Sequence, residues 1–94
     1  CNLIILTGGT GITERDRTPE AIEPLLQRIL PGFGEMFRQL SYQQVGVVGL
    51  LSRAVAGTTG KSLIVALPGS EKACTLALEQ LLLPLLPHAL ELLS

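Results

Sequence analysis

Ninety-four residues suffice for one small domain. A hydrophobic share of 47% beside 16% charged residues excludes a disordered chain. With a net charge of −1, seven scattered basic residues and 3% aromatics, neither nucleic acid nor an anionic membrane is expected as the main partner.

Two cysteines, Cys1 and Cys74, make neither a disulfide framework nor a metal cluster, so a reducing, cytoplasmic setting is expected. The apolar run LIIL (residues 3–6), entered from Cys1, predicts a first strand. LIVAL (residues 63–67) predicts a second. Such short unbroken runs suit parallel strands covered by helices on both faces. The chain lacks a starting Met and opens at once on a strand, so further strands are expected upstream.

Between these strands, residues 19–30 place Ile22, Leu25, Leu26, Ile29 and Leu30 on one helical stripe. Thr18 is the expected N-cap, Pro19 the first helical residue and Pro31-Gly32 the stop; Pro24 is the point where this helix would kink. A second helix is expected over residues 34–44. A third is expected over 47–55, with apolar contacts from Val48, Leu50, Leu51 and Val55, closed by Gly57 and Gly60. A fourth runs from Ser70 with Cys74, Ala77, Leu78, Leu81 and Leu82 on its buried stripe, broken or restarted at Pro84 and Pro87. Interrupted in this way, residues 81–93 are too short to cross a bilayer and read as a buried or interface helix. The order of elements reads as α/β, a three-layer domain with a mostly parallel sheet flanked by helices.

Two turns could carry chemistry. TGGTG (residues 7–11) follows the first strand, and Pro68-Gly69-Ser70 follows the second, so both leave the carboxyl ends of strands, where open α/β sheets bind ligands. The glycine turn is either a tight turn or a cradle whose N–H groups accept phosphate oxygens, and its position favours the cradle. Asp16, between Arg15 and Arg17, could hold Mg²⁺ shared with substrate phosphates, or could simply favour a helix N-terminus. Ser70 can cap the last helix, with Lys72 in its first turn. Gly60-Lys61-Ser62 is not a P-loop, because Val55 stands where that pattern needs glycine and the motif precedes a strand. His88 has no second histidine to share a metal with, and Cys74 reads as a small core residue.

The ordered set TGGTG, ERDRTPEA (residues 14–21), PGFGEMFRQLS (residues 31–41), LSRAVAG (residues 51–57) and LPGSEKAC (residues 67–74) resembles the MoaB/Mog family of molybdenum cofactor biosynthesis proteins, the MoaB branch in particular. The ending LLPLLPHALELL is similar to the gephyrin G domain. The resemblance implies that residues 1–94 are the carboxyl-terminal part of a single molybdopterin-binding domain. It implies transfer of AMP from ATP to molybdopterin, with Asp16 as the catalytic, Mg²⁺-associated carboxylate. Gly8, Gly9, Thr10 and Gly11 become the phosphate or nucleotide cradle, and Ser52, Arg53, Pro68, Gly69 and Ser70 line the pterin-phosphate pocket. It further implies a homo-oligomer, trimer or hexamer. The alternative from a different class is a non-catalytic molybdopterin-binding or scaffolding oligomer.

Overall fold

The computed structural model describes residues 2–94. Cys1, expected at the entry to the first strand, lies outside them. The chain runs β1 (Asn2–Thr7), α1 (Thr18–Ile22), a 3₁₀ turn (Glu23–Leu25), β2 (Arg28–Ile29), α2 (Pro31–Val45), a second 3₁₀ segment (Gly46–Leu51), β3 (Val55–Thr59), β4 (Ser62–Leu67), α3 (Glu71–Ala77), a π-helical turn (Leu78–Leu82) and α4 (Leu83–Leu93). The sheet order is β1-β4-β3-β2. β1 pairs with β4 in parallel, while β3 pairs antiparallel with both β4 and β2, so this α/β domain has a mixed sheet.

β4 is central and buried on both faces, which its unbroken apolar run requires. Leu63, Val65 and Leu67 point to one core with Ala56, Phe33 and Phe37 of α2, Ala77 of α3 and Leu82 of the π turn. Ile64 and Ala66 point to the other, with Ile22, Val55 and the flanking Leu6 and Leu26. Complete burial of Leu67 or Leu82 contributes about 1.5–3 kcal/mol each. In α2 the spacing of Phe33, Phe37 and Ser41 puts one residue per turn on the sheet side, and the two phenyl rings stack with centroids 6.3 Å apart.

The helix over residues 19–30 ends at Ile22: Pro24, inside the following 3₁₀ turn, lacks the N–H that helix continuation needs. Leu26 becomes extended, and Arg28–Ile29 joins the sheet edge. Ile22 and Leu26 of the stripe still reach the core, whereas Leu25 and Ile29 are exposed. Pro31-Gly32 opens α2 instead of stopping α1, because proline fits the first helical turn.

The helix over residues 47–55 is a short 3₁₀ segment followed by β3. Two glycines and two valines in GVVGLL support no α-helix, and Val55 begins a strand. Gly57 therefore lies within β3, and Gly60 (φ +57°) with Lys61 forms a two-residue hairpin turn between Thr59 and Ser62.

The last helix is not broken at Pro84 or Pro87 and stays helical from Glu71 to Leu93. The π turn accommodates Pro84 by reaching five residues back, with the Leu83 N–H donating to the Leu78 carbonyl, which relieves the crowding a proline ring causes one turn earlier. By length and composition this 23-residue segment could span a bilayer. Here its Ala77 and Leu82 cover the sheet, with Cys74, Leu78, Leu81 and Leu86 packed beside them.

Candidate functional site

The parallel pairing of β1 with β4 sets the site. Register aligns Thr7 with Leu67, so the two strands end side by side and their following loops leave together. The Gly8 N–H donates to the Leu67 carbonyl at 2.8 Å. A Cβ on Gly69 would stand 3.5 Å from the Gly8 Cα.

Inside the glycine loop every carbonyl from Gly8 to Gly11 is occupied. The Thr18 hydroxyl donates to Gly8 O at 2.8 Å, and the Thr18 N–H donates to Gly9 O at 3.0 Å. The Arg53 N–H donates to Thr10 O at 2.7 Å, and Arg53 Nε donates to Gly11 O at 2.7 Å. Thr18 was expected to cap α1 with its side chain, but α1 begins at Thr18 and its capping position, Arg17, makes no side-chain bond. The hydroxyl holds the loop instead. Gly9 (φ +71°) has no room for a side chain: a Cβ there would fall 2.2 Å from the Thr18 Oγ1. The N–H groups of Gly9 and Thr10 have no acceptor among the described residues.

Asp16 folds back under this loop. Its Oδ2 accepts from the Thr13 hydroxyl at 2.7 Å and the Thr13 N–H at 3.0 Å, and a Cβ on Gly11 would stand 2.7 Å from it. The Thr13 hydroxyl, then the Thr13 N–H, hold the Asp16 carboxyl below the usual carboxylate range, with weaker pulls from the Gly11 N–H and the Arg53 charge.

Gly9, Thr10, Gly11, Asp16, Ser52, Pro68 and Gly69 line one cleft of about 250 Å³ together with Val48 and Leu51. Gly8 is adjacent through its contact with Gly69. Besides Gly8, two of the expected residues, Ser70 and Arg53, do not line this cleft. Ser70 caps α3, accepting from the Ala73 N–H at 3.1 Å, as its position before that helix predicts. Arg53 reaches under the loop, with Nη2 on Asp16 O at 2.6 Å and Nη1 paired with Glu20. That pair holds Glu20 below the usual carboxylate range and raises Arg53 above its own.

Sequence reading missed Glu20, Val48 and Leu51. The two apolar residues were expected to be helix contacts, yet they are 64% and 51% exposed and wall the cleft. Their flanking glycines, Gly46 and Gly49, were the available sign that this segment is no α-helix. Ser52 Oγ accepts from the Ala54 N–H at 3.3 Å, which leaves its own hydroxyl proton free to donate. Gly9 and Thr10, with N–H groups that have no acceptor among the described residues, thus line one cleft with the Ser52 hydroxyl, the apolar Val48 and Leu51 and the Asp16 carboxylate, although Thr10 itself is buried. Unpaired N–H groups suit an anionic group, and the apolar side chains suit a less polar part of a ligand.

Over residues 1–88 the chain matches a domain family described as "Probable molybdopterin binding domain". Molybdenum cofactor biosynthesis protein B of Escherichia coli (strain K12) is 52% identical over 82 residues, which are 87% of this chain and 48% of that protein. The protein of the same name from Staphylococcus aureus (strain Mu50 / ATCC 700699) is 57% identical over 88 residues, 93% of this chain and 52% of the relative. A crystal structure of a molybdenum cofactor biosynthesis protein B superposes with a TM-score of 0.94 at 44% identity, covering 98% of this chain and 58% of that one. The chain spans about half the length of the curated relatives it matches.

Proposed function

The chain belongs to the molybdopterin-binding domain family, and from that premise we propose that it acts in molybdenum cofactor biosynthesis, in the cytoplasm, as part of a molybdopterin adenylyltransferase. Residues 1–94 would form the carboxyl-terminal part of one such domain. In the reaction, a terminal phosphate oxygen of molybdopterin attacks the α-phosphorus of ATP. The bond to the bridging oxygen breaks, pyrophosphate leaves with its electron pair, and a phosphoanhydride to AMP forms. The attacking oxygen is already anionic, so positioning and charge neutralisation matter more than a general base.

The observation that carries this reading is the loop whose carbonyls from Gly8 to Gly11 all accept hydrogen bonds, while the N–H groups of the cleft-lining Gly9 and Thr10 have no acceptor among the described residues. Those N–H groups, with Gly8 and Gly11 shaping the turn, would take phosphate oxygens. Ser52, Pro68 and Gly69 would line the pterin-phosphate side, Val48 and Leu51 would face the ring, and Ser70 would fix the start of α3 behind them.

Mg²⁺ fits the donor set at Asp16. Hydrogen bonds from Thr13 hold this carboxyl below the usual carboxylate range. A single carboxylate completed by substrate phosphates is a usual magnesium arrangement. When bound, the ion would supply charge neutralisation to the phosphates.

Asp16→Asn tests the assignment in an assay of AMP transfer with ATP and molybdopterin. Turnover is expected to be abolished with molybdopterin binding largely intact; unchanged turnover would remove Asp16 from the reaction.

The second reading, a non-catalytic molybdopterin-binding or scaffolding oligomer, draws on exposed apolar side chains such as Val47, Leu50, Leu83 and Leu92. It predicts molybdopterin binding by a trimer or hexamer with no transfer of AMP.

A further inference from the structure

We infer that Arg53 is a positioning residue for the glycine loop, locked by Glu20, and that it is not a ligand of the substrate phosphate. The inference rests on the reading above only for the anion the loop receives.

Arg53 uses all three guanidinium nitrogens, Nε on Gly11 O at 2.7 Å, Nη2 on Asp16 O at 2.6 Å and Nη1 on Glu20 of α1, and lines a neighbouring cleft with Asp16 and Glu20. It does not line the cleft formed by Gly9, Thr10 and Gly11. A planar fork of donors can hold two carbonyls and a carboxylate at once, which a single ammonium cannot. Gly11 and Asp16 are thereby fixed to one rigid plane, and these two residues set where the loop ends and where the carboxylate starts.

The plane is itself anchored to the core. Arg38 of α2 donates through Nη1 to Ser52 O at 3.3 Å and to Ala54 O at 3.1 Å, bracketing Arg53 in the chain. A Cβ on Gly34 would stand 2.8 Å from Ala54 O and 2.9 Å from Arg38 Nη2, so glycine at that position of α2 leaves this strap its path. The line of support runs from the phenylalanine-packed helix through the 52–54 segment and Arg53 to the loop.

Positioning and direct ligation predict opposite signs for Glu20→Gln. If Arg53 bound phosphate, removing a neighbouring carboxylate would free the guanidinium, remove a repulsive charge and tighten anion binding. If Arg53 positions the loop, the same change loosens its anchor and weakens binding.

The test uses the full chain with Glu20→Gln and Arg53→Lys, inorganic pyrophosphate as the calorimetric probe, and hydrogen exchange at the Thr18 amide, whose bond to Gly9 reports loop closure. Expected are faster Thr18 exchange in both variants, unchanged exchange at Val65 in β4, and pyrophosphate affinity lowered about threefold in Glu20→Gln and about tenfold in Arg53→Lys. Tighter pyrophosphate binding by Glu20→Gln, or Thr18 exchange equal to the native rate in both variants, overturns the inference. Absence of pyrophosphate binding by the native chain would count against the functional reading, and the exchange rates would still decide the role of Arg53.

Discussion

The Thr18 hydroxyl donates to the Gly8 carbonyl at 2.8 Å, joining the first residue of α1 to the first glycine after β1. The bond occupies that carbonyl. Thr18→Val keeps the shape and removes the donor, so a stability loss of about 0.5–1.5 kcal/mol is expected. Pyrophosphate binding should weaken in parallel, as read by chemical denaturation and calorimetry on the same sample.

Gly9→Ala asks more of the loop. The positive φ and the 2.2 Å approach to Thr18 Oγ1 act together, so the Thr18 contact must open or the turn must change. The expected cost is about 1–3 kcal/mol. Anion binding should be lost while far-ultraviolet circular dichroism stays native; native-like affinity would argue against the cradle.

The Glu20–Arg53 pair carries a pH signature. The folded pKa of Glu20 lies below its ordinary value of 4.5, first because of the Arg53 hydrogen bond. A depressed carboxylate stabilises the fold fully above the unfolded value, and that contribution disappears as pH falls through the folded one. The difference in Tm between native chain and Glu20→Gln should therefore be constant from about pH 6 to 8 and shrink as pH drops past the ordinary value. A difference that grows in acid would contradict the assigned pair.

Leu51→Ser tests the apolar wall. With the loop amides untouched, molybdopterin affinity should fall about three- to tenfold, consistent with losing part of one buried leucine face. Pyrophosphate affinity should not change. Equal loss for both ligands would mean that the substitution had disturbed the loop.

Phe37 is fully buried and stacks on Phe33. Phe37→Ala should cost about 3–5 kcal/mol in denaturant unfolding. A cost below about 1 kcal/mol would show that α2 is not the structural base of the Arg38 strap.

Features signalled by adjacent residues were legible in the sequence. LIIL and LIVAL announced β1 and β4, the turns after them were placed at one sheet rim, and Ser70 caps α3 as its neighbours indicate. Features decided by distant partners were not. Helical periodicity over residues 19–30 was outweighed by Pro24 and by the pairing of Arg28 and Ile29 with β3. Val55 looked helical beside Leu51, yet its partner is Ala66 of β4. The hydrogen bond from Arg53 Nε to Gly11 O, 42 positions earlier in the chain, is likewise a contact no local pattern announces. Pro84 suggested a break because an α-helical turn was assumed, whereas the wider π turn accommodates the ring.

The occupied carbonyls of residues 8–11 also make the loop selective by polarity. With those four carbonyls already accepting hydrogen bonds, the loop has little electron density to lend an incoming ion of positive charge. At this corner the one carboxylate among the cleft-lining residues is Asp16, so a cation there would find protein oxygen on that side chain and not on the loop.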